Sequence, residues 1–261
     1  MTDAHCHVDR GDSRSFVCEP TEGKAMFVGH HPWEFLESSR VGLGSSRVGL
    51  GSSRVGLESS SATTTLSDPP PSALDTTLSD ANLTLKDSIS ALRSRLAADS
   101  SLGVGEIGLD RLQTREIPAA MREAFEAQLR LAAEFSRPVV LHGAKCWGQV
   151  VEACRRFAGK IPTFLFHGFS RSGGLIPEIV RINGFISVGP AVLNDHAVNY
   201  RELVKAIPSD RLLVESDATA ENMEDVPRVA EVAAKVAEIR GTGLDELVGV
   251  LEANSDRFLG V

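Results

Sequence analysis

Two hydrophobic patterns alternate along most of the chain. Short apolar runs rich in β-branched and aromatic residues predict strands at Thr2–His5, Ser15–Cys18, Ala25–Gly29, Gly103–Ile107, Pro138–His142, Thr163–His167, Gly184–Val188 and Arg211–Ser216. Between them, apolar residues recur every third or fourth position. That spacing predicts helices over Lys86–Ala98, Ile117–Phe135, Cys146–Ala158, Leu175–Asn183, Ala197–Ala206, Pro227–Arg240 and Leu244–Leu259. Pro118 falls in a first turn, where its missing N–H costs nothing. Strands alternating with helices indicate a parallel α/β architecture, and eight strands in this order predict a (β/α)8 TIM barrel. Only a few residues separate the first two strands, too few for a crossover helix, so the barrel is expected to be shortened or distorted near its N-terminus. An incomplete barrel is the alternative.

One segment breaks the alternation. Ser38–Gly44 reads SSRVGLG, Ser45–Gly51 repeats it unchanged, and Ser52–Leu57 begins it again. Two glycines per unit, each costing a helix about 1 kcal/mol relative to Ala, argue against a coiled coil despite the seven-residue period. TTLSD occurs at Thr64–Asp68 and again at Thr76–Asp80 around a triple proline. Residues 38–82 therefore read as a low-complexity, flexible insertion within a single domain spanning 1–261. Arg40, Arg47 and Arg54 read as solvated charges. Without the insertion roughly 210 residues remain, at the short end for a barrel.

Composition narrows the class. Of 261 residues, 42% are hydrophobic and 24% charged, which supplies a core and excludes a fully disordered chain. No charge-free apolar run approaches the roughly 20 residues of a membrane span, and MTDAHCHVDR lacks the pattern of a secretory signal. Four cysteines are too few for a disulfide scaffold, and a reducing cytoplasm is expected. The net charge of −8 disfavours tight, salt-sensitive DNA binding without excluding a nuclease.

The candidate chemistry lies at strand ends. His5 and His7 share one side of the first strand, because strand side chains alternate. Glu106 falls near the end of VGEIGLD, His142 ends PVVLH, His167 ends TFLFH and Asp217 ends RLLVESD. Each singly also fits a hydrogen-bonded strand end. All six are residue types that bind metals, placed where barrel enzymes put their working groups.

DAHCHVD, GHHPW, VGEIGLD, PVVLHGAKCW, FHGFS and LLVESDA occur in the order seen in the TatD family of metal-dependent hydrolases. The chain resembles a compact, TatD-type deoxyribonuclease-like protein over nearly its whole length outside the insertion. The resemblance implies a (β/α)8 barrel with two divalent metal ions, and His5, His7, Glu106, His142, His167 and Asp217 as ligands with Glu106 bridging. The sequence departs from the family where Thr219 follows Ala218 in place of a frequent proline. Trp33 stands at the second histidine of the usual Gly-x-His-Pro-His pattern, and the stretch between His7 and Gly29 is short.

A paired site of this kind activates a hydroxide between ions about 3.5–4 Å apart, with Glu106 and Asp217 as the catalytic carboxylates. Imidazole-rich ligation suits Zn²⁺, Mn²⁺, Ni²⁺ or Co²⁺ better than Mg²⁺, which carboxylates still admit weakly. A glutamate rather than a lysine on the fourth strand favours this branch over dihydroorotase- or urease-like amide hydrolysis. His31 and Lys145 are candidate substrate-phosphate contacts, with a turn histidine and a surface lysine as the plain alternatives. Asp9 is a candidate partner for a ligating histidine. Cys146 and Cys154 read as packing residues, and His196 as a surface one. The expected function is a divalent-metal-dependent phosphodiesterase acting on DNA or a small phosphoester. Hydrolysis of a small carbon ester or amide, or a non-catalytic barrel binding partners through residues 38–82, are the alternatives.

Overall fold

The computed structural model describes residues 1–7, 14–18, 26–35, 85–170, 172–219 and 221–261. The repeats, Arg40, Arg47, Arg54 and Asp9 lie outside these residues. Among the described residues there are eight strands: β1 (Thr2–Cys6), β2 (Arg14–Val17), β3 (Phe27–Val28), β4 (Gly103–Asp110), β5 (Val139–Ala144), β6 (Phe164–Phe166), β7 (Gly184–Val188) and β8 (Leu212–Val214). The described helices are α1 (Leu85–Ala98), α2 (Ala119–Glu134), α3 (Trp147–Arg155), α4 (Ile176–Arg181), α5 (Val198–Ala206), α6 (Val229–Arg240) and α7 (Leu244–Leu259).

All strand pairs are parallel, in a TIM-barrel-like arrangement that the ladders do not close. They form a six-stranded sheet in the order β3 to β8 and a separate β1–β2 pair. Two seams separate these sheets. At one, a single Cys18–Phe27 bridge and the Met26 N–H donating to the Val17 carbonyl (2.9 Å) link β2 to β3. At the other, the Asp217 N–H donates to the His5 carbonyl (3.1 Å) and the His7 N–H to the Ala218 carbonyl (2.7 Å). The buried Asp3 carboxylate closes this second seam from below, accepting from the Ser216 N–H (2.9 Å) and hydroxyl (2.6 Å).

Strand periodicity sorts side chains into an inner and an outer core. Ala4, Phe16, Phe27, Val140, Leu165, Phe185 and Leu213 point inward, one from each of seven strands, and Phe258 of α7 packs among them. Neighbours such as Leu141, Phe166, Ile186 and Val214 face the helices. α7 lies across the β1–β2 end. There Arg14 pairs with Asp256 (2.8 Å), while at the six-stranded sheet Thr163 Oγ1, just before β6, donates to the Phe258 carbonyl (2.6 Å).

The same period positions the chemistry. Two residues beyond the inward Val140, Leu165, Phe185 and Leu213 stand His142, His167, Ser187 and Glu215. The upper end of the inner face is therefore polar, while the layer beneath it is sealed by apolar side chains.

Candidate metal centre

Glu106 is the hub. Opposite β5, the register shifts between Val104 and Ile107, so β4 carries one residue more than its partner at Gly105–Glu106. A bulge re-aims a side chain, and here it turns Glu106 into the barrel mouth. Gly108 lets β4 run close against β5, since a Cβ there would sit 2.0 Å from the His142 carbonyl oxygen.

The two oxygens of Glu106 face different imidazoles. Oε2 lies 3.2 Å from His5 Nε2 and 3.2 Å from His7 Nε2. Oε1 lies 2.7 Å from His142 Nδ1, 2.7 Å from His167 Nε2 and 3.3 Å from His31 Nε2. Asp217 Oδ1 approaches His5 Nε2 at 3.4 Å. Asp217 sits just past β8 with a left-handed backbone (φ 53°), which folds its half-exposed side chain back over the mouth. The structure thus brings together all six residues singled out as ligand types, and adds His31. Three groups have donor atoms spaced to share an ion: His5–Glu106–His167, His5–His7–Asp217 and His31–Glu106–His142.

These residues fit divalent ions. His5 is fully buried, and neither ring nitrogen makes a well-aligned hydrogen bond, although Nε2 lies 3.2 Å from Glu106 and 3.4 Å from Asp217. Such orphaned groups are costly unless something else satisfies them. Two other imidazoles are pegged from behind. His7 Nδ1–H donates to the Cys18 carbonyl (2.9 Å), and His142 Nε2–H donates to the buried Asp110 carboxylate (3.0 Å). Each peg leaves the opposite nitrogen, the one toward Glu106, as the atom that would ligate an ion, the usual outer support of a metal-ligating histidine. Glu215 sits behind His167, 3.8 Å from its Nδ1, and is held by the Gly168 N–H (2.6 Å) and the Ser187 hydroxyl.

The electrostatics favour positive charge around Glu106. Burial alone would raise the Glu106 pKa, but His167 and His5 outweigh it and hold the carboxyl well below its usual range. Burial likewise opposes a charge on His167, and the Glu106 carboxylate overcomes it, lifting His167 to about 9. Burial pushes the Cys6 and Cys146 thiols up to about 12, so they stay protonated packing groups. Cys146 donates to the Leu109 carbonyl, and all four cysteines are free and buried.

Beside the centre runs an open cleft of about 1220 Å³. Glu215, Ser216 and Asp217 form its inner end, and Ser170, Tyr200 and Asn222 lie along its walls. Among the described residues that line it there is no lysine or arginine. Exposed His196 lines its outer part. Lys145, in the turn after β5, is exposed with a left-handed backbone (φ 57°) and stands outside the imidazole cluster.

Sequence reasoning missed Asp110, Glu215, Asp3 and Gln128. The first three are carboxylates inside or beside apolar strand runs, the signal by which they were findable. Gln128 carries no such signal, since a lone glutamine on a helix is ordinary.

A parallel α/β barrel-like frame with a carboxylate shared among strand-end histidines defines the class of metal-dependent hydrolases. The TatD related DNase family model matches residues 2–260, and the chain belongs to that family. It is 26% identical over 172 residues to YabD of Bacillus subtilis, an uncharacterized metal-dependent hydrolase, covering 63% of this chain and 68% of that protein. It is 31% identical over 172 residues to the 3'-5' ssDNA/RNA exonuclease TatD of Klebsiella pneumoniae, covering 61% of this chain and 65% of that protein. Among solved structures, YjjV, a TatD homolog from Escherichia coli, aligns with a TM-score of 0.59 at 26% identity, over 67% of this chain and 71% of that one. A TatD family hydrolase from Entamoeba histolytica shares the fold, with a TM-score of 0.54 at 17% identity over 66% of this chain and 68% of that one.

Proposed function

We propose that this protein is a phosphodiesterase that trims single-stranded nucleic acid from an end, using two divalent ions held on either side of Glu106. The observation that carries this reading is the division of the Glu106 oxygens between two sets of imidazoles. Divalent ions bound there supply Lewis acidity and lower the pKa of water. Asp217, at the junction of the centre and the cleft, accepts the proton of the attacking water. Asp110, the Cys18 carbonyl and Glu215 hold the imidazoles in orientation. His5, His7, His142 and His167 are the ligands, and Zn²⁺, Mn²⁺, Ni²⁺ or Co²⁺ suit them. Lys145, exposed near the rim, is assigned to a more distant substrate phosphate.

The cleft favours a strand over a small ester. Its volume of about 1220 Å³ exceeds the usual small-molecule pocket of roughly 300–1,000 Å³. The TatD relatives named for ssDNA/RNA exonuclease activity point the same way. Four buried free thiols suit a reducing compartment, and we assign the protein to the cytoplasm. Among the described residues no helix is long and apolar enough to cross a membrane.

The test is hydrolysis of an end-labelled single strand by protein supplied with Mn²⁺ or Zn²⁺, beside a panel of phosphodiesters, lactones and amides. Activity should be confined to phosphodiesters and lost in Glu106→Gln and His142→Ala. Cleavage that survives both substitutions contradicts the assignment.

A further inference from the structure

Five histidines surround Glu106, and the family resemblance accounts for four of them as ligands. We propose that His31 is a fifth imidazole ligand, completing a four-donor set on the Oε1 side; this rests on the metal-dependent reading above.

The donors on that side are Glu106 Oε1, His142 Nδ1, His167 Nε2 and His31 Nε2. His142 Nδ1 and His167 Nε2 are 3.3 Å apart, and His31 Nε2 is 3.3 Å from Oε1. Ligand atoms around a tetrahedral ion with bonds of about 2.0–2.1 Å stand roughly 3.3 Å apart, so these two separations suit an ion and the 2.7 Å approaches of His142 and His167 to Oε1 would have to open on binding. His167 Nε2 also groups with His5, but its 2.7 Å approach to Oε1 and its contact with His142 place it on this side. The His31 ring stands edge-on to His142 at 4.8 Å between centroids and is about three-quarters buried, with 22% of its side chain exposed. His31, Glu106 and His142 have donor atoms spaced to share one ion, and His167 Nε2 adjoins them through Oε1 and His142 Nδ1; on the Oε2 side stand His5, His7 and Asp217.

The segment carrying His31 is anchored as a ligand's mount needs to be. Gln128 of α2, fully buried, reaches across and grips both backbone groups of His30. Its Oε1 accepts the His30 N–H (2.6 Å) and its Nε2 donates to the His30 carbonyl (3.1 Å). Glu34 in the following turn accepts the His31 N–H (2.8 Å) through one oxygen and meets His30 Nδ1 (2.8 Å) through the other. Three hydrogen bonds thus fix the backbone on which His31 turns inward.

The two sides then differ in kind. The Oε1 set consists of buried or half-buried groups and is closed, as in sites that retain their ion. The Oε2 set includes the half-exposed Asp217 at the cleft and leaves room for a further ligand.

The test is titration of metal-free protein with Zn²⁺ against a chromophoric chelator, repeated with Co²⁺ while following its visible absorption. Wild type should take up two equivalents of unequal affinity. In His31→Ala the tighter equivalent should weaken by at least about tenfold, with a loss of tetrahedral Co²⁺ absorption, while the weaker one is unchanged. Should His31→Ala not fold, His31→Gln carries the same expectation. Two unchanged equivalents with only a raised KM would make His31 a substrate contact and overturn the proposal, as would equal weakening of both equivalents. Failure of the wild type to bind any ion would remove the underlying metal-dependent reading as well, so the two failures are distinct.

Discussion

His142 Nε2 stands 3.0 Å from the buried Asp110 carboxylate, and this pair determines which ring nitrogen faces Glu106. The carboxylate accepts the Nε2 proton, so Nδ1, 2.7 Å from Glu106 Oε1, is the nitrogen whose lone pair would go to a bound ion. Asp110 Oδ1 is itself fixed by the Leu112 N–H (2.6 Å). In Asp110→Asn the amide oxygen keeps the Leu112 bond and the amide NH₂ faces His142. That reverses the tautomer and points an N–H at the metal centre. Metal affinity is expected to fall about 10–100-fold with little change in metal-free stability, as read by chelator competition beside thermal unfolding. Unaltered affinity would mean that Asp110 does not set the tautomer.

Asp3 ties β1 to β8 at the seam, and burial raises its pKa from 3.8 to about 6 although Ser216 pulls the other way. A folded pKa above the unfolded one gives stability that is present at low pH and lost as pH rises through about 6. Asp3→Asn keeps an acceptor for Ser216 and removes this titration. In metal-free protein, wild type should therefore gain about 2 kcal/mol on Asp3→Asn as pH falls from 7 to 4, measured by urea unfolding. A pH-independent difference would show that Asp3 titrates normally.

The cleft lining offers no lysine or arginine among the described residues, and the whole chain carries a net charge of −8. On the proposed function, substrate phosphates would therefore be held mainly by ions at the centre and by few protein cations. The logarithm of kcat/KM for a single strand should fall with the logarithm of salt concentration at a slope of magnitude about 2 or less, since each phosphate neutralised on a single strand contributes roughly 0.7. A slope several times steeper would reveal an extended basic track.

Much of this was legible in the sequence, for physical reasons that also mark where legibility stopped. β7 and α7 fall on the expected residues Gly184–Val188 and Leu244–Leu259, because both have unmixed periodicity. The period-two rule placed His142 and His167 at strand ends, and two positions earlier the inward Val140 and Leu165 show why they face the mouth. β4 runs on to Asp110, beyond the expected Ile107, and its bulge is invisible to a strict alternation. For that reason Asp110 did not stand out beside Glu106. The distortion near the N-terminus was legible in the short spacing of the first two strands, but not which ladders stay open, since that depends on how short strands such as the two-residue β3 meet. By sequence His31 is a candidate phosphate contact or a turn histidine. Its approach to Glu106 depends on Gln128, almost a hundred positions away, and no local pattern encodes such a grip.

The sharing of Glu106 between two ions is tested most directly by anomalous diffraction from crystals of the protein loaded with Zn²⁺ or Mn²⁺. Two peaks should flank its carboxylate, one on the side of His5 and His7 and one on the side of His142 and His167. A single peak, or peaks away from Glu106, would contradict the account.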